Sequence, residues 1–185
     1  MNSTGVVIVL IVAAIIIVAA LVMMATRKRR SQKLRERFGP EYDRVVNREG
    51  DASKAERVLE FRQKHREKFK VRPLSPTDRS SFRYRWNEVQ SRFVDDPKGS
   101  VTLAEGLVTD VMQARGYPIA DFEQQASDIS VDHPIVVENY RAAHDIALRH
   151  GRGQASTEDL RNAMVHYRAL FQELLDDNQP QRKGA

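Results

Sequence analysis

The chain of 185 residues contains no cysteine. That excludes a disulfide framework, a thiolate metal site, a thiol nucleophile and a cysteine-linked lipid. No Lys, Arg, Asp or Glu precedes Arg27. No stretch of strand length alternates apolar and polar residues, and no segment repeats at a fixed period, which argues against sheets and solenoids. The spacings His-x-x-x-His and Glu-x-x-His, which set two metal ligands on one helix face, are missing. So are the Gly-x-Ser-x-Gly nucleophile turn and the Lys-Ser/Thr pair of a phosphate-binding loop. The chemistry these motifs support has no footing here, and no cofactor is expected.

What is present begins with one long apolar run. Gly5 to Ala25 is 21 residues without a charge. At 1.5 Å per residue it extends about 30 Å, the thickness of a bilayer hydrocarbon core. A cleaved secretory signal has a basic start, a shorter apolar core and a small-residue cleavage site. Met1 to Thr4 carry no basic side chain, and the run ends in Met23 and Met24. Residues 1–26 are therefore expected to form a transmembrane anchor. Arg27, Lys28, Arg29 and Arg30 follow at once and are the expected membrane-surface residues. Basic residues beside a span stay in the cytoplasm. The expected topology is N-terminus outside and body cytoplasmic, with an extracytoplasmic body as the alternative. Ala13, Ala14 and Ala20 are small, but no Gly-x-x-x-Gly pair accompanies them. A homo-oligomer is left open without a motif behind it.

The net charge of +5 is unevenly spread. Between Arg27 and Arg72 lie 17 of the 30 Lys and Arg but only 8 of the 25 Asp and Glu, whereas the rest of the body is net acidic. The basic excess sits beside the bilayer, which explains the high isoelectric point without nucleic acid.

The body reads as all-α, an irregular helical bundle. Residues 27–50 form a basic juxtamembrane stalk broken at Gly39-Pro40, then a short helix closed by Gly50. Residues 51–177 form the helical soluble domain, and 178–185 a disordered polar tail. Asp51 caps a charged helix running to about Lys70. Ser75-Pro76 opens the next, where Phe82, Trp86, Val89 and Phe93 share one face, a core stripe rather than a stacking platform. Asp96-Pro97 opens a helix to Arg115, closed by Gly116. A short helix over 121–129 follows, and Asp132-His133-Pro134 is expected to cap the one after it. Ser156 and Asp159 cap the last helix, whose stripe runs from Leu160 through Tyr167 to Leu175.

The histidines are His65, His133, His144, His150 and His166, expected as surface or hydrogen-bonded structural residues. Asp128, Asp132 and His133 lie near Ser127 and Ser130, where capping and turn formation account for them without a catalytic triad. Gly151-Arg152-Gly153 follows no strand and is expected as an interhelical turn. Tyr117, with Pro118 and Phe122, either packs a bend or forms a sticky exposed patch.

The stretches FGPEYDR (Phe38 to Arg44), WNEVQSRFVDDP (Trp86 to Pro97), VMQARGYP (Val111 to Pro118), DISVDHP (Asp128 to Pro134) and HYRALFQELL (His166 to Leu175) resemble a family of uncharacterised bacterial proteins, single-pass and membrane-anchored or "secreted". The resemblance implies a bacterial cytoplasmic membrane and brings no activity, cofactor or site residue with it.

The leading expectation is a membrane-tethered helical interaction or scaffold module. Its partners would be the lipid bilayer and an unidentified protein at the membrane, met through the Tyr117 to His133 segment or the outer face of the last helix. Two alternatives stand beside it. One is a membrane-anchored enzyme with a site between helices around His133, His144 and His166. The other is a sensor of anionic membrane surfaces, built from the stalk and the 51–70 helix.

Overall fold

Proline and glycine punctuation, together with side-chain caps, sets the element boundaries. The computed structural model describes residues 3–176; the expected tail over 178–185 lies outside them. Among the described residues there are eight helices and no strand. They are α1 (Ser3–Phe38), α2 (Pro40–Glu49), α3 (Ala52–Arg66), α4 (Pro76–Arg92), α5 (Pro97–Ala114), α6 (Phe122–Asp132), α7 (Val137–Gly151) and α8 (Thr157–Leu175). The all-α bundle expected from the sequence is what the chain forms.

Each start has a mechanism. Asp51, Ser75, Asp96 and Asp121 accept the backbone N–H of Lys54, Asp78, Gly99 and Gln124 at 2.8–3.0 Å, satisfying donors that a helix leaves unpaired in its first turn. Pro40, Pro76 and Pro97 occupy first-turn positions, where a missing N–H does no harm. At α8, Ser156 and Asp159 form a reciprocal capping box. Ser156→Ala is expected to lower stability by about 1 kcal/mol in urea titration, with no loss of helix content elsewhere.

Two starts and ends differ from the sequence expectation. α3 stops at Arg66 rather than near Lys70, because the chain turns there and the Arg72 N–H bonds the Arg115 carbonyl at 2.8 Å. Gly116 makes that approach feasible: its φ is +94°, and a Cβ there would lie 2.5 Å from the Lys70 carbonyl oxygen. Asp132 does not cap α7. It closes α6, its carboxylate taken by Tyr117 and Arg66, and α7 begins at Val137 without a side-chain cap.

α1 runs 36 residues without a break. Its apolar part is long and apolar enough to cross a membrane, and from Ile11 to Ala25 it is exposed among the described residues. Its last turns are different. Leu34 and Phe38 pack with Tyr42 and Val45 of α2, Ala55 and Leu59 of α3, and Val131 of α6. This is a small core of its own. The main core is built by α4 to α8, with Trp86, Val108, Val111, Ile129, Tyr140, Tyr167 and Leu170 among its buried members.

A buried ionic clamp joins the two units. Glu41 on α2 is wholly buried. Its carboxylate accepts two bonds from Arg141 on α7, at 2.6 and 2.8 Å, and one from Arg62 on α3 at 2.6 Å. Arg62 also donates to Ser130 on α6 at 3.1 Å, and Arg141 to Glu138 at 2.8 Å. Burial pushes the Glu41 carboxyl up, but the bonds and charges of Arg141 and Arg62 outweigh it and hold the group below its ordinary range.

Candidate functional site

The residues singled out in the sequence fall into different environments. Arg27, Lys28 and Arg29 lie exposed on α1 just past its apolar part. Arg30 is paired with Glu60 of α3, so one basic residue of the stalk also holds the body.

Tyr117 and His133 are buried, at 3% and 2% exposure. Tyr117 packs the bend after α5, against Phe69 at 5.9 Å between ring centroids. Its hydroxyl donates to Asp132 at 2.8 Å. Arg66 pairs with the same carboxylate and donates to the Phe69 carbonyl at 3.0 Å, while its guanidinium lies over the Phe69 and Tyr117 rings. Burial, with Asp132 beside it, raises the Tyr117 hydroxyl far above its ordinary value, so it serves as a fixed donor and not as a base.

His133, next to Asp132 in the chain, turns instead to α8. Its Nδ1 lies 3.1 Å from Glu173, and its Nε2 is buried without a partner. With Nδ1–H donating to the carboxylate, Nε2 carries the bare lone pair of a neutral ring. Burial depresses the His133 pKa against the pull of Glu173 and Asp132, and Arg115 adds to the depression. A histidine whose folded pKa is lowered stays neutral in the native state but charges in the unfolded one. Stability is therefore complete above the ordinary value of 6.5 and falls as pH drops below it. His133→Gln is expected to flatten the change in urea midpoint between pH 7.5 and 5.5.

Sequence reasoning missed Arg115, which it took only as a helix end. Arg115 is almost wholly buried and donates from Nη1 to the Leu174 carbonyl at the end of α8, at 2.8 Å. Its Nε and Nη2 are buried without partners. Asp128 lies in the same region, accepting from Gln124 at 2.8 Å and facing His65 at 3.7 Å; burial raises its carboxyl. The arrangement joins the ends of α3, α5, α6 and α8 through mostly buried polar side chains, with Glu173 and His65 partly open to solvent.

His144 and His166 lie elsewhere. His144 stacks on Phe122 at 3.6 Å and bonds Glu105 at 2.8 Å. His166 bonds Asn139 at 2.8 Å. Each of the three histidines thus has its own partner from another element. Among the described residues, no group of three or more His, Asp or Glu is placed to hold a metal ion.

The outer face of α8 offers a different kind of feature. Between α8 and α4 runs a groove of about 390 Å³. Trp86, Phe93, Met164 and Val165 give it apolar walls, and Arg161 and Arg168 stand on its rim. Trp86 is fixed in place by stacking on Phe171, with 4.6 Å between centroids. Val165 is half exposed, at 49%. Arg161 reaches Glu158 only at 3.3 Å across open surface, so its charge stays available. Beyond the groove, Ile119 and Ile135 project from the connections flanking α6.

Comparison of the chain with protein-family models, with curated proteins and with solved structures found no match.

Proposed function

We propose that the protein is a single-pass membrane protein of a bacterial cytoplasmic membrane, working as a rigidly tethered helical interaction module. In this reading Gly5 to Ala25 cross the bilayer, the N-terminus lies outside, and the body stands in the cytoplasm. The observation that carries it is the continuity of α1, which runs unbroken from an uncharged apolar segment into a packed core at Leu34 and Phe38. Leu34 lies nine residues past Ala25, about 14 Å along a helix. The body is thus held within about two headgroup-layer thicknesses of the hydrocarbon, not on a loose leash.

A tether of this kind raises the local concentration of the body near any membrane partner and lets a weak contact be occupied. The α4–α8 groove is the surface we assign to that contact. Its apolar walls suit the apolar face of a partner helix, and Arg161 and Arg168 favour an acidic one. Tyr117 and His133 are not available for contact, so the Tyr117 to His133 stretch offers Ile119 in their place.

Fusion of a reporter active only outside the cytoplasm tests the topology. The C-terminal fusion is expected to be silent, and activity there would invert the orientation.

A further inference from the structure

We infer that the trough between α1 and α3 seats the headgroup of one anionic phospholipid from the surrounding bilayer, with its acyl chains lying along α1. The inference rests on the reading that Gly5 to Ala25 span the membrane, and it adds a defined lipid site to that span.

Thr26 lines two depressions at once. The first, of about 700 Å³, lies on the apolar part of α1, where Ala14 and Ala19 leave a hollow between Ile15, Val18 and Val22. The second, of about 910 Å³, lies between α1 and α3 and includes Arg29, Arg30, Lys33 and Lys64. Positions 15, 18, 22, 26, 29 and 33 follow one another at steps of three and four along the helix, with 19 and 30 beside them. They form one continuous face, apolar below Thr26 and cationic above it. A phospholipid has the same two-part profile.

The charges in the trough also have an order. Arg29 and Arg30 lie three and four residues past Thr26, about 5 Å along the helix, whereas Glu36 lies ten residues past it, about 15 Å. Glu60 is taken by Arg30, and Glu36 accepts from Gln32 at 3.1 Å. Glu67 is the remaining carboxylate of the lining. Arg29, Lys33 and Lys64 have no ion-pair partner among the described residues, and neither has Glu67, so the lining carries three free cations against one free carboxylate. A phosphate there gains charge-assisted bonds from two helices, which a bare stalk does not offer. Arg27 and Lys28 carry the same charge on the same stalk but do not line the trough. They supply the control.

The test is native mass spectrometry of the full-length protein in neutral detergent, titrated with phosphatidylglycerol or phosphatidylcholine. One phosphatidylglycerol per chain is expected to be retained, about tenfold more tightly than phosphatidylcholine. Arg29→Gln with Lys33→Gln is expected to weaken retention by roughly tenfold or more, while Arg27→Gln with Lys28→Gln leaves it unchanged. All these side chains are exposed, so the variants keep the fold. Equal weakening by both pairs would show diffuse attraction to charge and overturn the site, as would equal retention of the two lipids. Displacement of phosphatidylglycerol by inorganic phosphate would make this a soluble-anion site and overturn the lipid assignment. Alkaline extraction of cell membranes checks the span separately. A chain released by alkali refutes the anchor, whereas a chain retained without lipid preference refutes only the trough.

Discussion

Glu41→Ala is expected to destabilise the protein by about 3–5 kcal/mol, because it leaves Arg62 buried without its counter-charge and Arg141 with Glu138 alone. Arg62 is 6% exposed, and Arg141 gives both bonds of its fork to this one carboxylate. Removing Glu41 deletes three short hydrogen bonds and the only carboxylate that Arg62 meets among the described residues. Glu41→Gln keeps the shape and one acceptor but not the charge, so it is expected to lie between the wild type and alanine. Replacing all three residues by apolar ones of similar volume should recover much of the loss, since a buried ion pair gains little over good apolar packing. Urea titration of the full-length protein in micelles reads the stability. Hydrogen exchange reads its location: amides of 31–66 should open before those of α8. The pH dependence has a definite sign. Glu41 has a lowered pKa in the folded chain, so its contribution is present above the ordinary value of 4.5 and is lost as pH falls below it. That window lies below the one assigned to His133.

Trp86→Ala is the second large effect, expected at about 3–5 kcal/mol. Trp86 is the ring by which α4 holds α8, stacked on Phe171, and its loss also opens the wall of the α4–α8 groove. Trp86→Phe should cost far less, about 1 kcal/mol. It keeps an aromatic partner for Phe171, and it removes an indole N–H that is buried without an acceptor. Tyr84, two residues earlier and 65% exposed, is the contrast: Tyr84→Ala should change stability by less than about 0.5 kcal/mol.

The parts of the fold visible in the sequence are those set by neighbours within one helix turn. Ser75-Pro76, Asp96-Pro97 and the Ser156–Asp159 box announce helix starts because the cap and the donor it satisfies are three residues apart. Gly39-Pro40 and Gly50 mark the reversals on either side of α2 for similarly local reasons. The stripe of α8 needs only the 3.6 period. What escaped was pairing across the chain. Glu41 and Arg141 are one hundred residues apart, and each alone looks like an ordinary solvated charge. A signal was nevertheless present: Glu41, Tyr42 and Val45 share one face of α2, as Ala55, Leu59, Arg62 and Arg66 share one of α3. A charge inside an apolar stripe points to a buried partner. Asp132 failed as a cap for the same kind of reason, since its carboxylate is claimed by Tyr117 and Arg66 from other elements. Of the residues first considered for a site, Tyr117, His133, His144 and His166 proved to be spread over separate hydrogen bonds. The α4–α8 groove needs two helices to exist, and only its α8 side was legible beforehand.

A body held at the membrane and meeting a protein partner through the α4–α8 groove should place that partner beside Val165. The most direct measurement is in-cell photo-crosslinking from a reactive residue at Val165, with a second at Lys54 as the control. One recurrent crosslinked protein is expected from Val165 in the anchored chain, absent from Lys54 and lost when Arg161 and Arg168 are changed to glutamate. No crosslink from Val165 above background, or the same products from both positions, would contradict it.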